Sequence, residues 1–164
     1  MKLRLLQMTS PETMFPFRNL KKILIINGPN LNLLGNREDD IYGKDSLDKI
    51  KSDCEKKGIE KNLEITFFQS NNEGEIIDKI HEVNDKFDGL IINPAAFTHS
   101  SIAILDSLRA IHKPKIEIHL TNIYAREEYR KKSITSEGVH GLICGFGGNS
   151  YLLGIEAICK LIYK

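Results

Sequence analysis

Short apolar segments alternate with amphipathic helical patterns along most of this 164-residue chain, and this alternation constrains its fold more than any other feature. The segments that predict strands are, in chain order, Ile23–Asn27, Leu63–Gln69, Gly89–Asn93, Lys115–Leu120 and Gly141–Phe146. Strands that alternate with helices favour a parallel sheet covered by helices on both faces. We therefore predict an α/β fold with a five-stranded parallel sheet, in a single domain over residues 21–164 that follows a poorly ordered extension over residues 1–20.

Three local signals refine this prediction. Apolar residues recur at helical spacing from Leu47 onwards, and Gly58 is expected to end that helix. Ser100 or Ser101 is a natural N-cap for the helix after the third strand. The charged segment 125–132 predicts a further short helix.

Charge and cysteine content limit the class of partner. Lysine and arginine number 23 against 22 for aspartate and glutamate, so a net charge of +1 offers no field to attract nucleic acid or an anionic membrane. A small anionic ligand needs only a few local arginines.

The cysteines Cys54, Cys144 and Cys159 form no Cys-x-x-Cys motif, which favours reduced thiols in a cytoplasmic protein over a disulfide or a zinc site. No apolar run approaches the roughly 18 residues of a membrane span.

Four of the predicted strands end in polar or glycine-rich segments. The first, third and fourth strands contribute, in chain order, Asn27, Asn30, Asn93, Thr98, His99, His119, Thr121 and Asn122. The fifth contributes the glycines Gly145, Gly147 and Gly148. An asparagine at a strand end is more often a turn former than a ligand-binding residue. In parallel α/β sheets, however, ligands bind at the carboxyl ends of the strands. Taken together, these residues predict a crevice lined with amides and imidazoles.

Glu117 and His119 lie on one face of the fourth predicted strand, because side chains alternate along a strand with a period of two. A carboxylate beside a histidine orients the imidazole and favours its protonated form. The same pattern, which begins at Lys115, also fits the solvent-exposed face of an edge strand. The residues alone leave both interpretations open.

The loop after the first strand is longer than the usual strand-to-helix connection of about two to six residues. It contains Arg37 and Tyr42, and long loops of this kind often act as lids over a site. Such a lid would place a phenol beside a guanidinium. The alternative is a solvated charged loop with Tyr42 packed beneath it.

Several ordered motifs resemble the family of type II 3-dehydroquinate dehydratases. They are, in chain order, Asn27–Gly35, Arg37–Glu38, Ile41–Gly43, Phe68–Gly74, Ile92–His99, Glu117–Asn122 and Arg126–Arg130. The resemblance extends from Ile23 to Ile162 and implies a flavodoxin-like three-layer sandwich. It also implies the reversible dehydration of 3-dehydroquinate to 3-dehydroshikimate in the shikimate pathway. This reaction would be an anti elimination through an enolate, with no cofactor, metal or Schiff base.

The resemblance also assigns catalytic roles. Tyr42 would be the general base that removes the proton from the carbon beside the ketone, and Arg37 would favour its ionised form. Asn30 would hold a water molecule against the developing enolate. His119, oriented by Glu117, would protonate the departing hydroxyl.

Substrate binding follows from the same resemblance. The implied residues are Asn93, His99 and Arg130 for the ring hydroxyls, and the backbone amides of Leu120 and Thr121 for the carboxylate. Asp106 would reach the site of a neighbouring subunit, because the family forms homo-oligomers in which trimers gather into dodecamers. Leu105, just before Asp106, stands where the family often has arginine.

Two other classes of function compete with an enzyme. A flavodoxin-like signalling or binding module would carry acidic residues at the first strand end, as in receiver domains, or would bind a flavin that absorbs visible light. The first strand of this chain ends in asparagines instead. A retired enzyme kept as a binding protein is the third class, and the presence of Arg37, Tyr42 and His119 argues against it.

Deleting residues 1–20 is expected to leave activity and folding nearly unchanged. The segment has no clear periodicity and lies outside the region of resemblance, and termini with few contacts tolerate truncation. The melting temperature and the turnover of the truncated and full-length chains provide the comparison. A melting temperature lowered by several degrees would show that the extension packs against the domain or against a neighbouring subunit.

Overall fold

The structure, a computed structural model, describes residues 19–35 and 45–164. Its strands are β1 (Lys21–Asn27), β2 (Leu63–Gln69), β3 (Gly89–Asn93), β4 (Lys115–His119) and β5 (Gly141–Cys144). Its α-helices are α1 (Leu47–Glu60), α2 (Glu73–His81), α3 (Val83–Lys86), α4 (Ile102–Ala110) and α5 (Asn149–Ile162). The strands form one parallel sheet in the order β2-β1-β3-β4-β5. No helix in the described ranges is long and apolar enough to cross a membrane.

Strand β1 contributes to two hydrophobic cores because successive side chains point to opposite faces of the sheet. Ile23 and Ile25 pack on one face with residues of α1 and α5. Leu24 and Ile26 pack on the other face with residues of α2, α3 and α4. All four side chains are fully buried, so β1 lies at the centre of a three-layer sandwich. The predicted flavodoxin-like α/β architecture is confirmed.

Side-chain caps fix the starts of three helices. Ser46 Oγ accepts a hydrogen bond from Lys49 N at the start of α1, and Asn72 Oδ1 accepts one from Gly74 N at the start of α2. Ser101, rather than Ser100, caps α4. These contacts satisfy amide groups that have no partner within the first turn of a helix.

The structure corrects three local predictions. Helix α1 continues past Gly58, where a Cβ atom would lie 2.5 Å from Ile65 Cγ1, so the glycine allows α1 to approach β2 closely. Strand β5 ends before Gly145, whose φ of +96° turns the chain. The charged segment 125–132 forms no α-helix, because Arg126 adopts an extended conformation between two 3₁₀ turns.

The ends of β1 and β3 touch through their backbones. Gly28 N donates a hydrogen bond of 2.8 Å to Asn93 O, just beyond the last paired residues of the two strands. A Cβ atom on Gly28 would lie 2.4 Å from Pro94 O. The close approach of the two strand ends therefore requires glycine at this position.

The substitution Gly28→Ala is expected to lower the free energy of unfolding by about 1–3 kcal/mol, because a backbone carbonyl must move to admit the methyl group. Denaturant titrations of both proteins at one concentration would measure this change. Gly141→Ala on β5 is the matched control, since a Cβ atom there makes an ordinary contact of 3.6 Å with Ile116 Cδ1. Equal stabilities for the two variants would contradict the steric argument.

Candidate active site

A pocket of about 290 Å³ lies at the carboxyl ends of β1, β3 and β4. It includes the junction of β1 and β3, where the order of the strands reverses and where ligands bind in folds of this type. Seven of the predicted site residues line the pocket: Asn30, Asn93, His99, His119, Leu120, Thr121 and Arg130.

The other predicted residues are placed differently. Glu117 lies behind His119, within the sheet. Asp106 is exposed on α4 and does not line the pocket of its own chain. Arg37 and Tyr42 lie outside the described residues.

His119 and Glu117 form a buried pair. His119 Nε2 lies 2.7 Å from Glu117 Oε1, and the two residues are only 5% and 0% exposed. Strand β4 lies between β3 and β5, so the alternative of an exposed edge-strand face is wrong. Because Nε2 faces the carboxylate, Nδ1 is the ring nitrogen that remains for exchanging a proton with a bound molecule.

Three hydroxyl groups surround the Glu117 carboxylate. Thr98 Oγ1 and Ser133 Oγ donate to Oε1 at 2.7 and 2.8 Å, and Thr135 Oγ1 donates to Oε2 at 2.6 Å. With the imidazole, the carboxylate therefore has four donors, which only the ionised form accepts fully. We call Thr98, Ser133 and Thr135 the hydroxyl cage.

His119 and two hydroxyls of the cage keep Glu117 ionised. Burial alone raises the pKa of a carboxyl group. The hydrogen bond and charge of His119, together with the hydrogen bonds from Thr135 and Thr98, outweigh burial and hold the pKa of Glu117 below its ordinary value. The pair is thus a fixed negative charge beneath an imidazole that borders the pocket.

Sequence reasoning did not include the hydroxyl cage among the site residues. Thr98 appeared only as a polar residue after the third strand, and the hydroxyl-rich segment 133–136 carried no recognised motif. The signal that could have found them is chemical. A buried carboxylate requires donors, and a run of serine and threonine just before the strand that pairs with β4 can supply them.

Two residues that line the pocket, Asn30 and Ala95, have left-handed backbones, with φ of +66° and +52°. Each is held by an asparagine side chain. Asn71 Oδ1 accepts from Asn30 N at 2.9 Å, and Asn93 Oδ1 accepts from Ala95 N at 3.1 Å. Such conformations cost about 1–3 kcal/mol and persist where the surroundings hold them, often at functional sites.

Basic side chains form another wall of the pocket. Arg130 Nε is buried and forms an ion pair with Glu127 Oε2 at a distance of 3.3 Å. Among the described residues, no acceptor has hydrogen-bond geometry to this nitrogen. His99 Nδ1 donates to the carbonyl of Lys132 at 2.8 Å, so its Nε2 remains available as an acceptor when the ring is neutral. This wall therefore offers a polar ligand both a guanidinium and an imidazole nitrogen.

The cysteines lie apart from this pocket. All three are free thiols, with Cys54 and Cys159 buried and Cys144 half-buried. Within residues 19–35 and 45–164, no group of three or more histidine, cysteine or acidic side chains is arranged to hold a metal ion.

Comparisons with known proteins assign the chain to a family. The family model described as "Dehydroquinase class II" matches residues 21–159. The chain belongs to this family. It is 55% identical over 145 residues to a 3-dehydroquinate dehydratase of Clostridium botulinum, a match that covers 88% of this chain and 99% of the relative. A 3-dehydroquinate dehydratase of Caldicellulosiruptor saccharolyticus is 53% identical over 144 residues and is covered over 99% of its length, against 87% of this chain.

A solved type II dehydroquinase has the same fold. The crystal structure of the Butyrivibrio crossotus protein matches with a TM-score of 0.82 at 44% identity, and covers 84% of this chain and 97% of that one. The resemblance seen in the sequence motifs is therefore confirmed. With it, the prediction of an enzyme rather than a signalling or binding module is confirmed.

For this class II dehydroquinase, Thr135→Val is expected to lower the free energy of unfolding by about 1–3 kcal/mol at pH 7, because it removes one donor from a buried carboxylate. The depressed pKa of Glu117 contributes stability above the ordinary value of 4.5, and this contribution is lost as the pH falls through the folded-state pKa. The variant raises that folded-state pKa, so its deficit should shrink as the pH is lowered below 4.5.

Urea titrations between pH 7 and pH 3.5 would measure this pH dependence. Thr66→Val on β2 makes the same exchange at a residue that does not contact Glu117, and it should show no such pH dependence. A deficit for Thr135→Val that stayed constant with pH would contradict an ionised Glu117.

Proposed function

We propose that this class II dehydroquinase catalyses the reversible dehydration of 3-dehydroquinate to 3-dehydroshikimate in the shikimate pathway. The observation that carries the proposal is the buried Glu117–His119 pair at the rim of the pocket. In a chain of this family, a pair of this kind is suited to deliver a proton to a departing hydroxyl. The reaction needs such an acid, because hydroxide is a poor leaving group.

Binding of the substrate would use both charged and uncharged polar groups of the pocket. The pocket brings His99 and Arg130 to one wall and Asn93 to the end of β3, in positions suited to the ring hydroxyls. The backbone amides of Leu120 and Thr121, just beyond β4, would hold the carboxylate. With these local groups, a protein of nearly zero net charge could bind an anionic, hydroxyl-rich substrate.

The acid step would pass through His119. The protonated imidazole gives its proton to the hydroxyl on the carbon that bears the carboxylate, the carbon–oxygen bond breaks, and water leaves. The Glu117 carboxylate stabilises the imidazolium before transfer and keeps the ring in one orientation. The hydroxyl cage keeps Glu117 from taking the proton itself, since it favours the ionised carboxylate.

The base step would belong to Tyr42, which removes the proton beside the ketone and generates an enolate. A free tyrosine has a pKa of about 10, so roughly one molecule in a thousand is ionised at pH 7. A neighbouring cation such as Arg37 lowers that pKa by about one to three units. A water molecule on Asn30 would stabilise the enolate oxygen, and elimination from opposite faces of the ring then completes the reaction.

We further propose that the active form is a dodecamer of four trimers, in which Asp106 completes the site of a neighbouring subunit. Asp106 is exposed on α4, outside its own pocket, which suits a contact across an interface. Leu105 is buried beside Gly138, so it does not take the place of a surface arginine in that contact.

Purified enzyme mixed with 3-dehydroquinate should produce the ultraviolet absorbance of a conjugated enone. Tyr42→Phe is expected to reduce kcat to about 1% or less while KM changes little, because the phenolate acts in the transition state more than in binding. Tyr163→Phe, at an exposed tyrosine just after α5, is the matched control and should keep full activity. A Tyr42→Phe variant that kept more than a few percent of the rate would rule out Tyr42 as the base.

A further inference from the structure

Tyr151 is a fully buried tyrosine that the proposed mechanism does not use. It lies in the first turn of α5, in the core that packs against β1 and β3. Its hydroxyl donates to Asn27 Oδ1 at 2.6 Å and accepts from Asn93 Nδ2 at 3.1 Å. A single phenol thus joins the terminal side chains of two adjacent strands at the point where the order of the strands reverses.

These hydrogen bonds have one fixed direction. Asn27 Nδ2 donates to the carbonyl of Phe68 at 3.0 Å, so the oxygen of the Asn27 amide must face Tyr151. The Tyr151 proton is committed to that oxygen, and its lone pair accepts from Asn93. Asn93 Oδ1 in turn accepts from Ala95 N. Each donor in this series of contacts faces an acceptor. Rotating either amide by 180° would place two donors or two acceptors against each other.

We propose that Tyr151 is a positioning residue that fixes the amide of Asn93 in one orientation, so that its second Nδ2 hydrogen is offered to a hydroxyl oxygen of the substrate. This inference rests on the proposed function, in which Asn93 binds a ring hydroxyl. An amide has two orientations that occupy nearly the same volume, and only its hydrogen bonds distinguish them. Tyr151 supplies the contact on the nitrogen side, and Ala95 supplies the one on the oxygen side.

The orientation is maintained because Tyr151 stays neutral. Complete burial raises the pKa of its phenol, so the proton that it donates to Asn27 is retained at every pH at which the enzyme would work. The aromatic ring packs in the core, 6.2 Å from the ring of Phe67 between centroids. A phenylalanine at position 151 would fill the same space, so Tyr151→Phe isolates the role of the hydroxyl.

Steady-state kinetics with 3-dehydroquinate test the inference. Tyr151→Phe is expected to raise KM about tenfold with kcat nearly unchanged, because it weakens a contact that binds substrate and transition state alike. Asn27→Ala provides a second variant that leaves Tyr151 in place. It removes the acceptor of the Tyr151 proton, so the hydroxyl is free to donate to Asn93 Oδ1 instead. Asn27→Ala should therefore raise KM in the same way, although Asn27 does not line the pocket.

Two controls separate positioning from loss of stability. Ile158→Val, on the same helix and in the same core, removes a buried methylene group and should lower the melting temperature without changing KM. In an Asn93→Ala background, Tyr151→Phe should add no further increase in KM, since the group that it positions is absent.

The outcomes are distinct. A wild-type enzyme that does not convert 3-dehydroquinate would refute the proposed function, and the inference about Tyr151 would fall with it. An active wild type whose KM is unchanged by both Tyr151→Phe and Asn27→Ala would overturn the inference alone. So would an effect of Tyr151→Phe that is equally large in the Asn93→Ala background, or one confined to kcat. If one of the two variants fails to fold, the other still decides between these results.

Discussion

The burial of the Glu117 charge is the constraint on which the rest of the site depends. An ionised carboxylate removed from water costs several kcal/mol unless donors surround it. Here the donors come from three separate parts of the chain: the adjacent end of β4, the turn after β3, and the segment before β5. The loops around the pocket must therefore converge on one carboxylate, and their convergence brings His99, His119 and Arg130 to a common cavity.

Alternation along the strands divides the site between the two faces of the sheet. Asn27 and Asn93 share the face of Ile25 and Ile91, and they contact α5 through Tyr151. Glu117 follows the opposite alternation to its neighbour Ile116, and it contacts the hydroxyl cage on the side of α4. The amide half and the acid half of the pocket are thus each supported by a different hydrophobic core.

Much of the fold could be predicted from local patterns, because β1 and β3 are almost purely apolar and the helices between strands show a clear period. The position of β4 could not, since its place between β3 and β5 depends on the order of the strands rather than on its own residues. For that reason the sequence alone left Glu117 and His119 open to a surface interpretation. The hydroxyl cage could not be predicted for a related reason: Thr98 lies 35 residues before Ser133, and the two hydroxyls meet at Glu117 only when the loops converge. The segment 125–132 looked helical by charge, but Arg126 turns towards Thr121 and interrupts it.

The fixed direction of the Tyr151 hydrogen bonds has a consequence for the robustness of the enzyme. Under the proposed mechanism Tyr42 must lose its proton, whereas the role of Tyr151 requires that it keep one. Tyr151 is buried in the core, and its proton is directed towards Asn27. Tyr151 could therefore not take over as the base if Tyr42 were lost, because its hydroxyl is already bound between two asparagine side chains.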